Sequence, residues 1–92
     1  MSKVIVVTGV TQGLGRTMAA GFIEAGHTVA GCGRSQSRID ELSQQYGDAH
    51  LFTAVDITNQ SAVQTWSENV LDQLGTPDLL INNAALINEN AP

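Results

Sequence analysis

The feature that most limits what this chain can fold into is a junction near its N-terminus. Residues 3–8 (KVIVVT) end in a continuous β-branched run, and Gly9, Gly13 and Gly15 follow before an amphipathic stretch begins. An apolar run without polar alternation predicts a strand buried on both faces of a parallel sheet. Residues 14–25 then carry helical spacing, with Leu14, Met18 and Phe22 on one stripe and Ala19 and Ile23 beside it. Gly26 stops that helix.

The same alternation continues. Thr28–Gly33 (TVAGCG) reads as a second strand, weakened by two glycines. Ser35 is placed to cap a second helix that carries Ile39, Leu42 and Tyr46 on one face and ends at Gly47. Residues 50–55 (HLFTAV) form the third strand. Thr58 or Asn59 caps a third helix with Val63, Trp66, Val70 and Leu74 at helical spacing. Gly75 and Pro77 end it, and residues 78–81 (DLLI) begin a fourth buried strand. Residues 82–92 read as a loop. Strands alternating with helices of this length predict an α/β fold, a doubly wound parallel sheet of the Rossmann type. Right-handed crossovers make 3-2-1-4 the expected strand order. Such sheets normally continue past a fourth strand, so residues 1–92 are expected to be the N-terminal part of a single domain. Left without a next strand, residues 78–81 would be an aggregation-prone edge.

The glycine trio has a mechanical reading. Gly9 permits the turn out of the strand, Gly13 lets backbone approach a pyrophosphate, and Gly15 lets the helix lie close to the sheet. The positive, unpaired N–H end of that helix would face the phosphates. A glycine-rich turn can also join a strand to a helix and bind nothing, but the buried strand before it and the amphipathic helix after it favour the binding role. A P-loop is excluded, because no Gly-Lys-Ser/Thr follows.

From Thr8 to Gly15 the spacing is Thr-Gly-x-x-x-Gly-x-Gly rather than the general Gly-x-Gly-x-x-Gly. In this variant the chain resembles the short-chain dehydrogenase/reductase family. Asp56-Ile57 falls at the end of the third strand, where the family has an Asp that contacts adenine. Asn82-Asn83-Ala84-Ala85 falls at the end of the fourth, where the family has Asn-Asn-Ala-Gly, with Ala85 departing from glycine. The resemblance spans the whole chain. It implies that Gly9, Thr11, Gln12, Gly13, Leu14, Gly15, Arg34, Ser35, Asp56, Ile57, Asn83, Ala84 and Ala85 form a nicotinamide-dinucleotide site. Asn82 would tie neighbouring strands, while Asn83 and Ala84 approach the cofactor ribose. Asp56 has a second reading as an acid favouring a helix N-terminus, and the two asparagines a second reading as turn residues.

The end of the second strand meets the adenosine ribose in such a fold, and a carboxylate there suits NAD. This chain has Gly33-Arg34-Ser35 instead. A guanidinium and a hydroxyl suit the 2′-phosphate of NADP, so NADPH is the expected cofactor in preference to NAD. The other reading of Arg34 is a solvated cation paired with Asp40 or Glu41. Gln12 stands where some NADP-binding relatives carry a basic residue.

The catalytic tyrosine of the family precedes a lysine by four residues, and a serine orients the substrate oxygen. Lys3 is the only lysine and Tyr46 the only tyrosine here, so no catalytic residue is assigned, and all are expected downstream of residue 92. The resemblance implies a parent NADPH-dependent oxidoreductase acting on a small-molecule carbonyl or alcohol, and homo-oligomeric as a tetramer or dimer. The alternatives are a non-catalytic fragment or a nucleotide-sensing module. Net charge is −5 with four scattered cations, which excludes a basic stripe for nucleic acid. No segment has the length of a membrane span or the layout of a signal peptide, and the single Cys32 suits a reducing compartment, so a cytoplasmic protein is expected. His27 and His50 read as surface loop residues, Cys32 as a small buried hydrophobe and Trp66 as core. No spacing suits a zinc site.

Overall fold

The computed structural model describes residues 2–83. Its elements are β1 (Val4–Thr8), α1 (Gly13–Glu24), β2 (Thr28–Gly33), α2 (Gln36–Tyr46), β3 (Leu51–Ala54), α3 (Gln60–Leu74) and β4 (Leu79–Asn82). The strands pair in parallel in the order β3-β2-β1-β4, as the crossover rule requires.

Period-two alternation divides the core between the two faces of the sheet. Ile5, Val7, Val29 and Phe52 meet Ala19 of α1 and Ile39 and Leu42 of α2. Val6, Ala30 and Cys32 point the other way, onto Trp66 and Val70 of α3. Both faces of β1 and β2 are thus covered, which explains why polar residues stand only at their ends, Thr8 and Thr28. Among the described residues no helix is long and apolar enough to cross a membrane.

Two expectations need correction. The face that α1 buries runs through Gly15 and Ala19, and Leu14 is 63% exposed. The reason is close contact at Gly15: a Cβ there would collide with the Gly9 carbonyl oxygen and lie 2.8 Å from Asn83 Nδ2. Contact at that point turns the neighbouring Leu14 outward. The second correction concerns β4, which is not buried: Leu79 is 45% and Leu80 63% exposed. Among the described residues β4 pairs only with β1, and Leu80 lines an open apolar groove of about 510 Å³ beside Trp66 and Val70 of α3.

The starts of the strands are tied by side chains. Asp78 accepts the Val4 N–H at 2.8 Å and donates its own N–H to the Val4 carbonyl at 2.7 Å, which locks β4 beside β1. His27 Nδ1 accepts the Lys3 N–H, and His50 Nδ1 accepts the Val29 N–H, both at 3.1 Å. The two histidines are therefore backbone acceptors rather than plain loop residues. Tyr46 and Phe52 flank His50, with ring centroids 6.4 and 6.3 Å away, and burial lowers its pKa from the ordinary 6.5.

The unfolded chain then takes up a proton at His50 before the folded one does, so this stabilisation is complete above about pH 6.5 and is lost as pH falls through the folded pKa. A His50→Asn variant keeps an acceptor but cannot titrate. Between about pH 7.5 and 5.5 its denaturant midpoint is expected to fall less than that of the unaltered chain. Parallel curves would contradict the assignment. At the helix contact, Gly15→Ala is expected to lower stability by about 1–3 kcal/mol through overpacking. An unchanged melting temperature would show that α1 does not need this contact.

Candidate functional site

The carboxyl ends of the four strands define one edge of the sheet, and the chain reverses its winding between β1 and β4 there. In open parallel sheets this reversal leaves a crevice where ligands bind. The glycine loop occupies it. Gly9 leaves β1 at φ +72°, in the left-handed region that glycine tolerates without strain. The N–H groups of Gly9 and Val10 both donate to the Cys32 carbonyl oxygen, at 2.9 and 3.0 Å.

Below the loop lie the two glycines that made β2 look weak. A Cβ on Gly31 would sit 2.8 Å from Val10 Cγ1, and one on Gly33 would collide with Thr11 Cγ2. Glycine at these alternate positions therefore provides the seat into which Val10 and Thr11 settle, and Val10 is completely buried. Cys32 between them is also fully buried. Desolvation pushes its thiol up to about 11, against a smaller opposing effect of the Gly9 N–H, so it stays protonated at neutral pH.

Asparagines at the end of β4 brace the loop from the other side. Thr8 Oγ1 donates to Asn82 Oδ1 at 3.0 Å, which ties β1 to β4. Asn83, 7% exposed, donates from Nδ2 to the Gly9 carbonyl oxygen at 3.2 Å. Ala84 and Ala85 lie outside the described residues.

A cleft of about 290 Å³ opens between this loop and the ends of β2 and β3. Seven of the expected site residues line it: Gly9, Thr11, Gln12, Arg34, Ser35, Asp56 and Ile57. Gly13, Leu14, Gly15 and Asn83 do not line it; Gly15 and Asn83 shape the loop, and Leu14 faces solvent. Asp56 Oδ1 accepts the hydroxyl of Thr58 at 2.7 Å and its N–H at 3.0 Å. Those bonds, with a further contribution from the positive charge of Arg34, hold its carboxyl below the usual range. Asn59 caps α3 by accepting the Ala62 N–H, so Thr58 serves Asp56 instead. Asp40, one of the acids considered for Arg34, accepts from Gln36 Nε2 at 2.9 Å.

The helix starts around the cleft differ. Ser35 caps α2 by accepting the Arg38 N–H at 3.4 Å. Gln12 occupies the cap position of α1 without capping it, and no acid stands in that helix's first turn. Its amide oxygen instead accepts a short hydrogen bond from Arg38 Nη1. Arg38, Cys32, Gly33, Val55 and Thr58 also line the cleft and are not among the site residues expected from sequence. For Arg38 a signal existed, since a residue three past an N-cap belongs to the turn that faces the cap. Chemically, the cleft offers two guanidiniums, a hydroxyl and an open helix N-terminus on one side, and an ionised carboxylate on the other.

Comparison with known proteins gives this arrangement a family. The short chain dehydrogenase family model matches residues 3–92. The chain is 35% identical to the NADPH-dependent pterin aldehyde reductase of Arabidopsis thaliana over 98% of its own length and 38% of that enzyme's. It superposes on L-sorbose reductase from Gluconobacter frateurii, solved with NADPH and L-sorbose, with a TM-score of 0.79 and 32% identity, covering 89% of this chain and 33% of that one. It superposes equally well (TM-score 0.79, 32% identity) on 3-ketoacyl-(acyl-carrier-protein) reductase from Brucella melitensis, solved with NADH, covering 85% and 32%. The chain therefore spans about a third of the length of these relatives, and it belongs to the short-chain dehydrogenase family.

Proposed function

We propose that this chain forms the adenosine and pyrophosphate end of an NADP(H) site in an oxidoreductase that transfers hydride between nicotinamide and a small carbonyl or alcohol substrate. The observation that carries the reading is the chemistry at the end of β2. Arg34 and Ser35 line the cleft where a carboxylate would favour NAD, and the glycine loop forms the adjoining wall.

The residues present suit the cofactor. Gly33 carries no Cβ, so Thr11 settles against the end of β2, and both line the cleft beside Arg34. The uncapped start of α1 leaves N–H groups for pyrophosphate oxygens. Arg34 can pair bidentately with a 2′-phosphate, and Ser35 can donate its hydroxyl proton while its lone pair caps α2. Asp56, held ionised and aimed by Thr58, is an acceptor for the exocyclic amine of adenine, and Ile57 offers an apolar surface beside it. When bound, the dinucleotide supplies the hydride. The chain's own residues fix the far end of that molecule, and the homo-oligomeric, cytoplasmic parent enzyme and its catalytic groups belong to the same proposal.

The test is a pair of binding titrations with the intact protein. Arg34→Ala is expected to weaken NADPH by roughly 10- to 100-fold, the range of one or two hydrogen bonds to a charged group, and to leave NADH within about twofold. Equal losses for the two cofactors would sink the preference for NADP.

A further inference from the structure

Gly31 pairs with Val7 of β1 on one side and with Phe52 of β3 on the other. In the interior of a sheet a glycine forgoes side-chain packing and weakens its strand, so it marks a place where another group comes close. Val10 is the matching oddity. It belongs to a loop whose residues Gly9, Thr11 and Gln12 line the cleft, yet it is completely buried, in the same core as Val29, Ile39 and Phe52. Loop side chains ordinarily stay at the surface. Both departures from local preference end at one contact: a Cβ on Gly31 would stand 2.8 and 2.9 Å from the two methyls of Val10, and 3.1 Å from Phe52 Cδ1.

That contact has little freedom to yield. Carbon atoms settle about 3.5–4.0 Å apart, so any side chain at position 31 has to displace Val10 by roughly 1 Å. The strand cannot retreat, because β1 and β3 hold it from both sides. The valine cannot swing away, because its branched side chain is stiff and fully enclosed. The displacement therefore falls on the loop backbone, whose Gly9 and Val10 N–H groups reach the Cys32 carbonyl at 2.9 and 3.0 Å. Bonds of ordinary length weaken when stretched by that much. Gly33 makes similar room for Thr11 but lines the cleft itself, whereas Gly31 and Val10 do not.

We infer that Val10 and Gly31 are a size-matched pair of positioning residues that set the height of the glycine loop above the sheet, and through it the affinity for the cofactor's pyrophosphate. The inference rests on the NADP(H) reading above. Neither residue touches the ligand. They act through the loop and the uncapped start of α1, which receive the pyrophosphate, while Arg34, Ser35 and Asp56 hold the adenosine end from other elements.

Two ligands separate the loop from the rest of the site in titrations of the intact protein: NADPH, which carries the pyrophosphate, and 2′-AMP, which carries only adenosine and the 2′-phosphate. Gly31→Ala is expected to weaken NADPH roughly tenfold, the worth of one hydrogen bond to a charged group, and to leave 2′-AMP within about twofold, which also reports an intact fold. Adding Val10→Ala removes the opposing methyls and is expected to bring NADPH back to within about threefold of the unaltered protein, although Val10→Ala alone opens a cavity and lowers the melting temperature. Val10→Ile enlarges the contact from the loop side with β2 unaltered, so it tests the same point where Gly31→Ala does not fold; it too is expected to weaken NADPH more than 2′-AMP. Full NADPH affinity in these enlarged variants, or equal losses for the two ligands, would overturn the inference and leave the NADP reading standing. A loss in Gly31→Ala that Val10→Ala does not restore would overturn the pairing. An unaltered protein that binds neither NADPH nor NADH would overturn the cofactor reading and this inference with it.

Discussion

The seat of the glycine loop on β2 is the constraint from which the other features of this molecule follow. Two N–H groups, from Gly9 and Val10, converge on the single carbonyl of Cys32, and two missing side chains, at Gly31 and Gly33, make room for Val10 and Thr11. Neither half works alone. Hydrogen bonds of this length need the backbones close, and the backbones come close only where no Cβ intervenes. With the loop seated, α1 must start directly above the sheet edge, where Gly15 fits against the Gly9 carbonyl. Gln12 is then brought within reach of α2, and the cleft between loop and strand ends acquires its walls.

Covering both faces of the sheet makes that geometry rigid. Ile5 and Val7 on one side and Val6 on the other anchor β1 in two separate cores, and Asn82 and Asn83 extend the bracing from β4 to β1 and to the loop. The polar groups of the cleft sit at the rim of this frame, on strand ends and helix starts rather than on long loops. Rigid placement of that kind is what recognition of a charged, multi-part ligand needs. The electrostatics are divided in the same way. The arginines gather at the start of α2, and Asp56, the one carboxylate among the described residues that line the cleft, lies just past β3 under the control of Thr58.

Much of this could be read from the sequence, and what was missed has a common cause. The order 3-2-1-4, the extent of Thr28–Gly33, the Ser35 cap and the ends of α2 and α3 at Gly47 and Gly75 rest on period, punctuation and crossover handedness, all local or general signals. The glycines of β2 looked like weaknesses because their purpose lies in a different element, the loop they receive. Leu14 looked like core because helical spacing names a stripe without saying which neighbour of a glycine faces the sheet. The acceptor roles of His27 and His50 depend on partners 24 and 21 residues away, and the tie from Arg38 to Gln12 spans 26. Contacts of that separation leave no periodic trace. The family resemblance supplied the site residues at the strand ends, yet Arg38 lay outside its motifs, and its place in the cleft follows from the position of α2.

A crystal structure of the intact protein with NADPH bound tests the central claim most directly. The expected result is pyrophosphate along the loop and the start of α1, adenine beside Ile57 and Asp56, and the 2′-phosphate at Arg34 and Ser35. Density for the adenosine end elsewhere, for example in the apolar groove between Trp66 and Leu80, would contradict it.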